Sequence, residues 1–193
     1  MKATKTRLFG LILAGGYSRR MGTDKALLDF HGMPQIEYVC DLLTQHCPKV
    51  FLSQRKEQKA YKRMAVIHDH PEFSHHGPIA GILSAMKKYP LASWLVVACD
   101  LPLITDQTIF TLLKNRDPKK TATAFLSTKD ALPEPLCAIW EGQAYHTILK
   151  YFHEGIYCPR KILINSHPFL IKQTDPHWLD NVNTPQEFHQ IVV

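Results

Sequence analysis

Apolar residues in this chain fall into short unbroken runs, and between the runs they recur at every third or fourth position. The first run, Leu8-Phe9-Gly10-Leu11-Ile12-Leu13, shows no polar alternation, as expected of a strand covered on both faces. Behind Pro34, which suits a first helical turn, Ile36, Val39, Cys40, Leu43 and Cys47 predict a helix ending near His46. Short strands are expected over 49–53 and 65–67, with a polar helix from Lys56 to Met64 between them. Gly77-Pro78 opens a helix whose Ile82, Leu83, Ala85 and Met86 face inward, and the most apolar run, Trp94 to Ala98, follows it. Strands alternating with helices at these spacings argue for a parallel sheet with right-handed crossovers.

The second half continues the alternation. A helix is expected from Asp106 to Arg116 with Thr105 as its N-cap, then a strand over 121–126 and a polar excursion over 127–135. A strand over 136–140, a helix over 143–153, a short helix over 159–163 and a late strand over 169–171 complete the set. Asn181-Val182-Asn183-Thr184-Pro185 precedes a final helix. No repeat, low-complexity tract or boundary interrupts the series, so residues 1–193 read as one α/β domain.

Composition narrows this little. The chain is 45% hydrophobic and 21% charged, within the globular range. Its net charge of +6 suits an anionic small molecule, an acidic partner or nucleic acid without deciding among them, and the absence of a basic run or an aromatic-interleaved basic stripe makes nucleic acid the weaker choice. Five cysteines, none in a C-x-x-C pair, indicate neither a disulfide framework nor a zinc knuckle and fit a reducing compartment. The start, MKATKTR before an apolar run, imitates a signal peptide, but the run is short and leads directly into a glycine-rich loop. With no apolar stretch long enough to span a bilayer, a cytoplasmic location is expected and no membrane partner.

The chemistry concentrates after the first strand. Ala14, Gly15 and Gly16 are followed within ten residues by Arg19, Arg20 and Lys25. Glycines let the backbone approach a ligand closely, so that successive N–H groups converge on an anion, and the cations make a phosphate-rich ligand the natural guest. The spacing is neither G-x-x-x-x-G-K-[ST] nor G-x-G-x-x-G. Asp100 ends the most apolar strand in Cys99-Asp100-Leu101-Pro102, where a carboxylate can hold a divalent metal on a triphosphate. The glycines of Gly77-Pro78-Ile79-Ala80-Gly81 leave free N–H groups at a helix entry. His68, His70, His75 and His76 invite a metal, but only Asp69 and Glu72 accompany them, and solvated loop histidines are the ordinary outcome.

The stretch LAGG-x-S-x-RMG-x-D-K stands unbroken at 13–25 and resembles the signature loop of nucleotidyltransferases, most of all the molybdenum cofactor guanylyltransferase (MobA-type) family. "GPIAG", "CDLP", "EPLCAIW" and "NVNTP" follow in that family's order. The resemblance implies a three-layer α/β/α sandwich with a mostly parallel sheet, of the nucleotide-diphospho-sugar transferase type. It also implies transfer of GMP from GTP to molybdopterin carrying molybdenum, with Mg2+ as cofactor and pyrophosphate released. Carried over by position, Leu13, Ala14, Gly15 and Gly16 would contact the nucleotide by backbone, with Ser53, Asp69, Gly81 and Asp100 completing its site. Arg20, Lys25 and Asp100 would carry the catalysis, and Asp100 with Asn183 the metal. The family often has Asn where this chain has Ser53, which offers fewer hydrogen bonds. Molybdoenzymes or molybdenum-insertion proteins are the macromolecular partners such a product implies. Rival readings are a cytidylyltransferase on molybdopterin, a sugar-phosphate nucleotidyltransferase, and a non-catalytic carrier of the molybdenum cofactor. Lys25 together with Asp100 weighs against the carrier, which needs no triphosphate metal site.

Overall fold

The computed structural model describes residues 7–14, 28–56, 58, 61, 63–180, 187 and 190. Seven strands form one sheet in the order β3-β2-β1-β4-β6-β5-β7. They are β1 (Arg7–Leu13), β2 (Val50–Gln54), β3 (Ala65–His68), β4 (Ala92–Ala98), β5 (Ala122–Leu126), β6 (Pro133–Trp140) and β7 (Phe169–Lys172). All neighbouring pairs are parallel except those of β6, which runs antiparallel to both β4 and β5.

Alternate strand residues go to opposite faces, and each face meets helices. On one face Phe9, Leu11, Trp94, Val96 and Trp140 pack against α2 (Pro78–Lys88), α4 (Tyr145–His153) and α5 (Pro159–Asn165). On the other, Ile12, Leu52, Leu95, Val97 and Ile139 pack against α1 (Gln35–Thr44) and α3 (Asp106–Lys114). This is the expected α/β/α sandwich. Every residue of β4 is buried, which is why that strand reads as a continuous apolar run. Thr105 caps α3 as expected, its side chain accepting from the N–H of Thr108 while the Thr108 hydroxyl accepts from the N–H of Thr105.

Two expectations are corrected. The described residues between 55 and 64 form turns and bends, with no helix among them. Lysine, glutamine and alanine favour a helix there, but only Tyr61 and Met64 could give it a face to bury, and a short helix without one is marginal. Gln58 instead turns back, its Oε1 accepting from the N–H of Arg55 at 2.9 Å. The second correction is β6, which starts at Pro133 inside the expected polar excursion. Its prolines are tolerated because β4 pairs only with residues 137–140 and β5 has a bulge between Ala124 and Phe125.

Candidate active site

Strand order reverses between β1 and β4: the chain winds from β1 outward to β2 and β3, then crosses to the other side. Open α/β sheets bind ligands in the crevice beyond the carboxyl ends at such a switch point. Of the residues singled out in the sequence, Leu13, Ala14, Ser53, Asp69 and Asp100 lie at or just beyond the carboxyl ends of β1, β2, β3 and β4.

At the end of β1, the chain is held on both sides. The O of Leu13 accepts from the N–H of Cys99 at 3.2 Å, and the N–H of Ala14 donates to the O of Ser53 at 3.4 Å. Gln58 Nε2 donates to the O of Ala14 at 3.1 Å. From this fixed point the chain enters the glycine-rich stretch. Gly15, Gly16, Arg19, Arg20, Lys25 and, at the other end of the chain, Asn183 lie outside the described residues.

Ser53 and Gly81 meet behind that point. A Cβ on Gly81 would stand 2.2 Å from Ser53 Oγ, 3.1 Å from Ser53 Cβ and 3.0 Å from a Leu13 methyl. Gly81 thus lets α2 come down onto the ends of β1 and β2, and Ser53 turns its side chain into that packing. Gly81→Ala is expected to cost about 1–3 kcal/mol through overpacking. Adding Ser53→Ala should recover part of it in urea denaturation, and no recovery would mean that the contact is not what excludes a side chain.

Two cavities flank the end of β1. One, of about 160 Å³, lies beyond β2 and β3 and is lined by Arg55, Lys56, Asp69, Pro71, Ser74 and His75. Its wall is the 68–77 loop, fastened to α2 by the N–H of His70 donating to Ser84 Oγ at 2.7 Å. Lys87 Nζ donates to Glu72 at 2.6 Å, and that hydrogen bond holds the Glu72 carboxyl below the usual carboxylate range. His70 and His153 stand 3.8 and 3.7 Å from the same carboxylate, and His76 packs on Phe152 and Tyr157. Of the four loop histidines, His70 and His76 thus make local contacts and His75 lines the cavity. Among the described residues no three His, Cys, Asp or Glu side chains converge on a metal position.

The second cavity, about 280 Å³, lies beyond β4 and β6 and includes Asp100. Sequence reasoning did not single out its other charged residues. Arg160, at the start of α5, donates to Asp130 at 2.9 Å and to Glu134 at 2.8 Å, while Lys129 donates to Asp180 at 2.8 Å. The N–H of Leu132, then Ser127 and Arg160, hold the Asp130 carboxyl below its ordinary range. Burial works to raise Asp180, but the hydrogen bonds from Lys129 and His177 outweigh it and the net shift is downward. Cys137, also in the lining, has its thiol pushed up by burial and is no nucleophile. Asp69 and Asp100 thus line separate cavities, three strand spacings or about 14 Å apart across the sheet. In the sheet order β1 lies between the strands that lead to the two cavities, and the glycine-rich stretch begins at its end.

Residues 10–168 match the family model described as the MobA-like NTP transferase domain. The chain is 36% identical over 191 residues to a molybdenum cofactor biosynthesis bifunctional protein of Synechocystis sp., covering 97% of this chain but 54% of that protein. It spans, in other words, about half the length of that relative. It is 30% identical to a "Probable molybdenum cofactor guanylyltransferase" of Bacillus cereus, with 94% of each chain covered. The crystal structure of molybdopterin-guanine dinucleotide biosynthesis protein A from Archaeoglobus fulgidus superposes with a TM-score of 0.75. That match has 22% identity and covers 95% of this chain and 96% of the other, so it speaks to the fold alone.

Proposed function

Because the chain belongs to the MobA-like NTP transferase family, we propose that it transfers GMP from GTP to molybdopterin carrying molybdenum and releases pyrophosphate. One observation carries the reading. The nucleotidyltransferase-like sequence 13–25 begins at the end of β1, and β1 lies in the sheet between β2 and β3, beyond which a cavity holds Asp69, and β4, beyond which a cavity holds Asp100. In this reading the smaller cavity takes the guanine base, the glycine loop the phosphates and the larger cavity the acceptor. Residues 1–193 act as one nucleotidyltransferase domain.

The acceptor's phosphate oxygen attacks the α-phosphorus in line. The bond to the bridging oxygen breaks, and pyrophosphate leaves with the electron pair. A phosphate monoester is already nucleophilic, so no dedicated base is needed. Positioning and charge neutralisation of two anionic reactants supply most of the acceleration. In this reading the backbone N–H groups of Gly15 and Gly16 bind the phosphates, and Arg20 and Lys25 neutralise their charge. Lys129 and Arg160 line the larger cavity, each already paired with carboxylates of the same lining.

A divalent metal fits this donor set. Asp100 offers hard carboxylate oxygen, and Mg2+ typically takes one or two carboxylates, water and substrate phosphates rather than a full protein cage. Asn183 can add an amide oxygen. When bound, the ion neutralises triphosphate charge.

No helix among the described residues is long and apolar enough to cross a membrane, and all five cysteines are free. We place the reaction in the cytoplasm, with GTP and molybdopterin as partners and a molybdoenzyme or insertion protein receiving the product.

The test is pyrophosphate release with molybdopterin and each of the four nucleoside triphosphates. GTP should turn over fastest; preference for CTP would reassign the base, and tight binding without turnover would make the protein a carrier. Within the loop, Lys25→Ala should lower the maximal rate more than it raises the apparent GTP constant. Arg20→Lys should not retain full activity, because the forked donors are lost. Arg19→Ala should stay within about 1 kcal/mol of wild type, as a solvated charge does. Steady-state kinetics on the three variants check this, and greater damage from Arg19→Ala than from Lys25→Ala would refute the assignment.

A further inference from the structure

The turn that carries Asp100 is gripped from one side by residues 66 to 71 positions earlier in the chain. Gln35 Nε2 donates to the O of Leu101 at 3.0 Å, and the Tyr38 hydroxyl donates to the O of Ile104 at 3.0 Å. His31 Nε2 lies 2.8 Å from the O of Pro102, a contact that puts a proton on that nitrogen. The rings of His31 and Tyr38 are stacked, with centroids 3.7 Å apart and 15° between their planes. Gln35 and Tyr38 sit one helical turn apart on α1, so a single face presents both donors. Gln35 has a second grip. Its own N–H donates to the O of Leu28 at 2.8 Å, just beyond the glycine-rich stretch.

Stability does not explain Gln35. It is 0% exposed, and its Oε1 has no hydrogen-bond partner among the described residues. A buried acceptor left unmet costs the fold more than one neutral hydrogen bond returns. The O of Leu101 also accepts from the N–H of Ile104, at 3.4 Å, so it would not be left bare without Gln35. Methionine would fill the same space without an unmet polar atom. What the amide supplies is direction: residues 99–104 belong to no helix or strand, and three side chains fix three of their carbonyls.

We propose that Gln35, supported by His31 and Tyr38, is a positioning residue that aims the Asp100 carboxylate at the metal–triphosphate. The inference rests on the nucleotidyl-transfer reading above, with Asp100 as the metal ligand. Groups that orient a metal ligand commonly act on metal affinity as strongly as a weak ligand does.

Gln35→Met and Tyr38→Phe, each in the full chain, test it. Tyr38→Phe removes one hydroxyl and keeps the ring stack, so it remains informative if Gln35→Met does not fold. Two readouts are needed: the Mg2+ dependence of pyrophosphate release, and Mn2+ binding to the complex with a non-hydrolysable GTP analogue, followed by electron paramagnetic resonance. Gln35→Met should keep its melting temperature and its metal-free affinity for the analogue, yet bind Mn2+ about tenfold more weakly and need about tenfold more Mg2+ for half-maximal rate. Tyr38→Phe should move both in the same direction by about threefold. Unchanged Mn2+ affinity in the folded variants overturns the proposal. So does an equal loss of metal-free nucleotide binding, which would signify general loosening. If the wild type binds Mn2+ and the analogue but releases no pyrophosphate with molybdopterin, the reaction assigned above is wrong, and the Mn2+ titration alone decides the role of Gln35.

Discussion

Asp100→Ala is expected to lower the maximal rate of nucleotidyl transfer about 100-fold or more, a loss of roughly 3 kcal/mol at the transition state. The melting temperature should stay close to that of wild type. Asp100 lies two residues beyond β4, a strand buried from end to end by its own side chains. It is partly exposed at the mouth of the larger cavity, while the turn around it is held by main-chain carbonyls that the substitution leaves in place. In the proposed reading the carboxylate acts on charge at the reacting phosphates rather than on folding. Steady-state turnover at saturating Mg2+, alongside thermal unfolding, checks both halves. Near-normal turnover would remove Asp100 from the metal position, and a collapse in stability would make it a structural residue.

The opposite end of β4 should respond in the opposite way. Glu141 is 1% exposed and accepts two hydrogen bonds from Arg116, each 2.7 Å, and one from Ser93 Oγ at 2.7 Å. The Ser93 hydroxyl in turn accepts from the N–H of Gly142 at 3.2 Å. Ser93 lies near the start of β4 and Arg116 just beyond α3, so one carboxylate fastens three elements at the end of the sheet away from the ligand crevice. Glu141→Ala strands a half-buried guanidinium and should cost about 3–5 kcal/mol. For a chain of this size that is a fall of roughly 10 °C in melting temperature. At temperatures where the variant is folded, its kinetic constants should match wild type. A cost below about 0.5 kcal/mol in urea denaturation would show the cluster to be a solvated surface pair instead.

The contrast between these two residues shows what the sequence discloses and what it conceals. β1, β4, α2 and the cap at Thr105 were legible because burial on both faces, helical periodicity and capping chemistry are local. The position of Asp100 just beyond β4 was legible because a turn after a long apolar run falls at a fixed place relative to the strand. The expected helix over 56–64 failed because propensity was read without a face to bury. The early start of β6 was hidden by Pro133 and Pro135, whose tolerance depends on a bulge in a neighbouring strand. Arg160 and Lys129 look like ordinary surface charges along the chain, and only the folding of α5 against β6 shows them turned to the cavity that holds Asp100. Gln35, His31 and Tyr38 gave no local signal either, since their partners lie some 70 residues away. The close approach of Gly81 to Ser53 and Leu13, which leaves no room for a Cβ, was not legible either, because it depends on how α2 settles on β1 and β2.

The central claim is that the α-phosphoryl group of GTP passes to molybdopterin at the end of β1. A single turnover with excess enzyme, run in parallel with GTP labelled at the α- or the γ-phosphorus, follows that group directly. The α-label should appear in the molybdopterin product and the γ-label only in pyrophosphate. Recovery of the γ-label on molybdopterin, or of both labels in unreacted GTP after molybdopterin has bound, would contradict it.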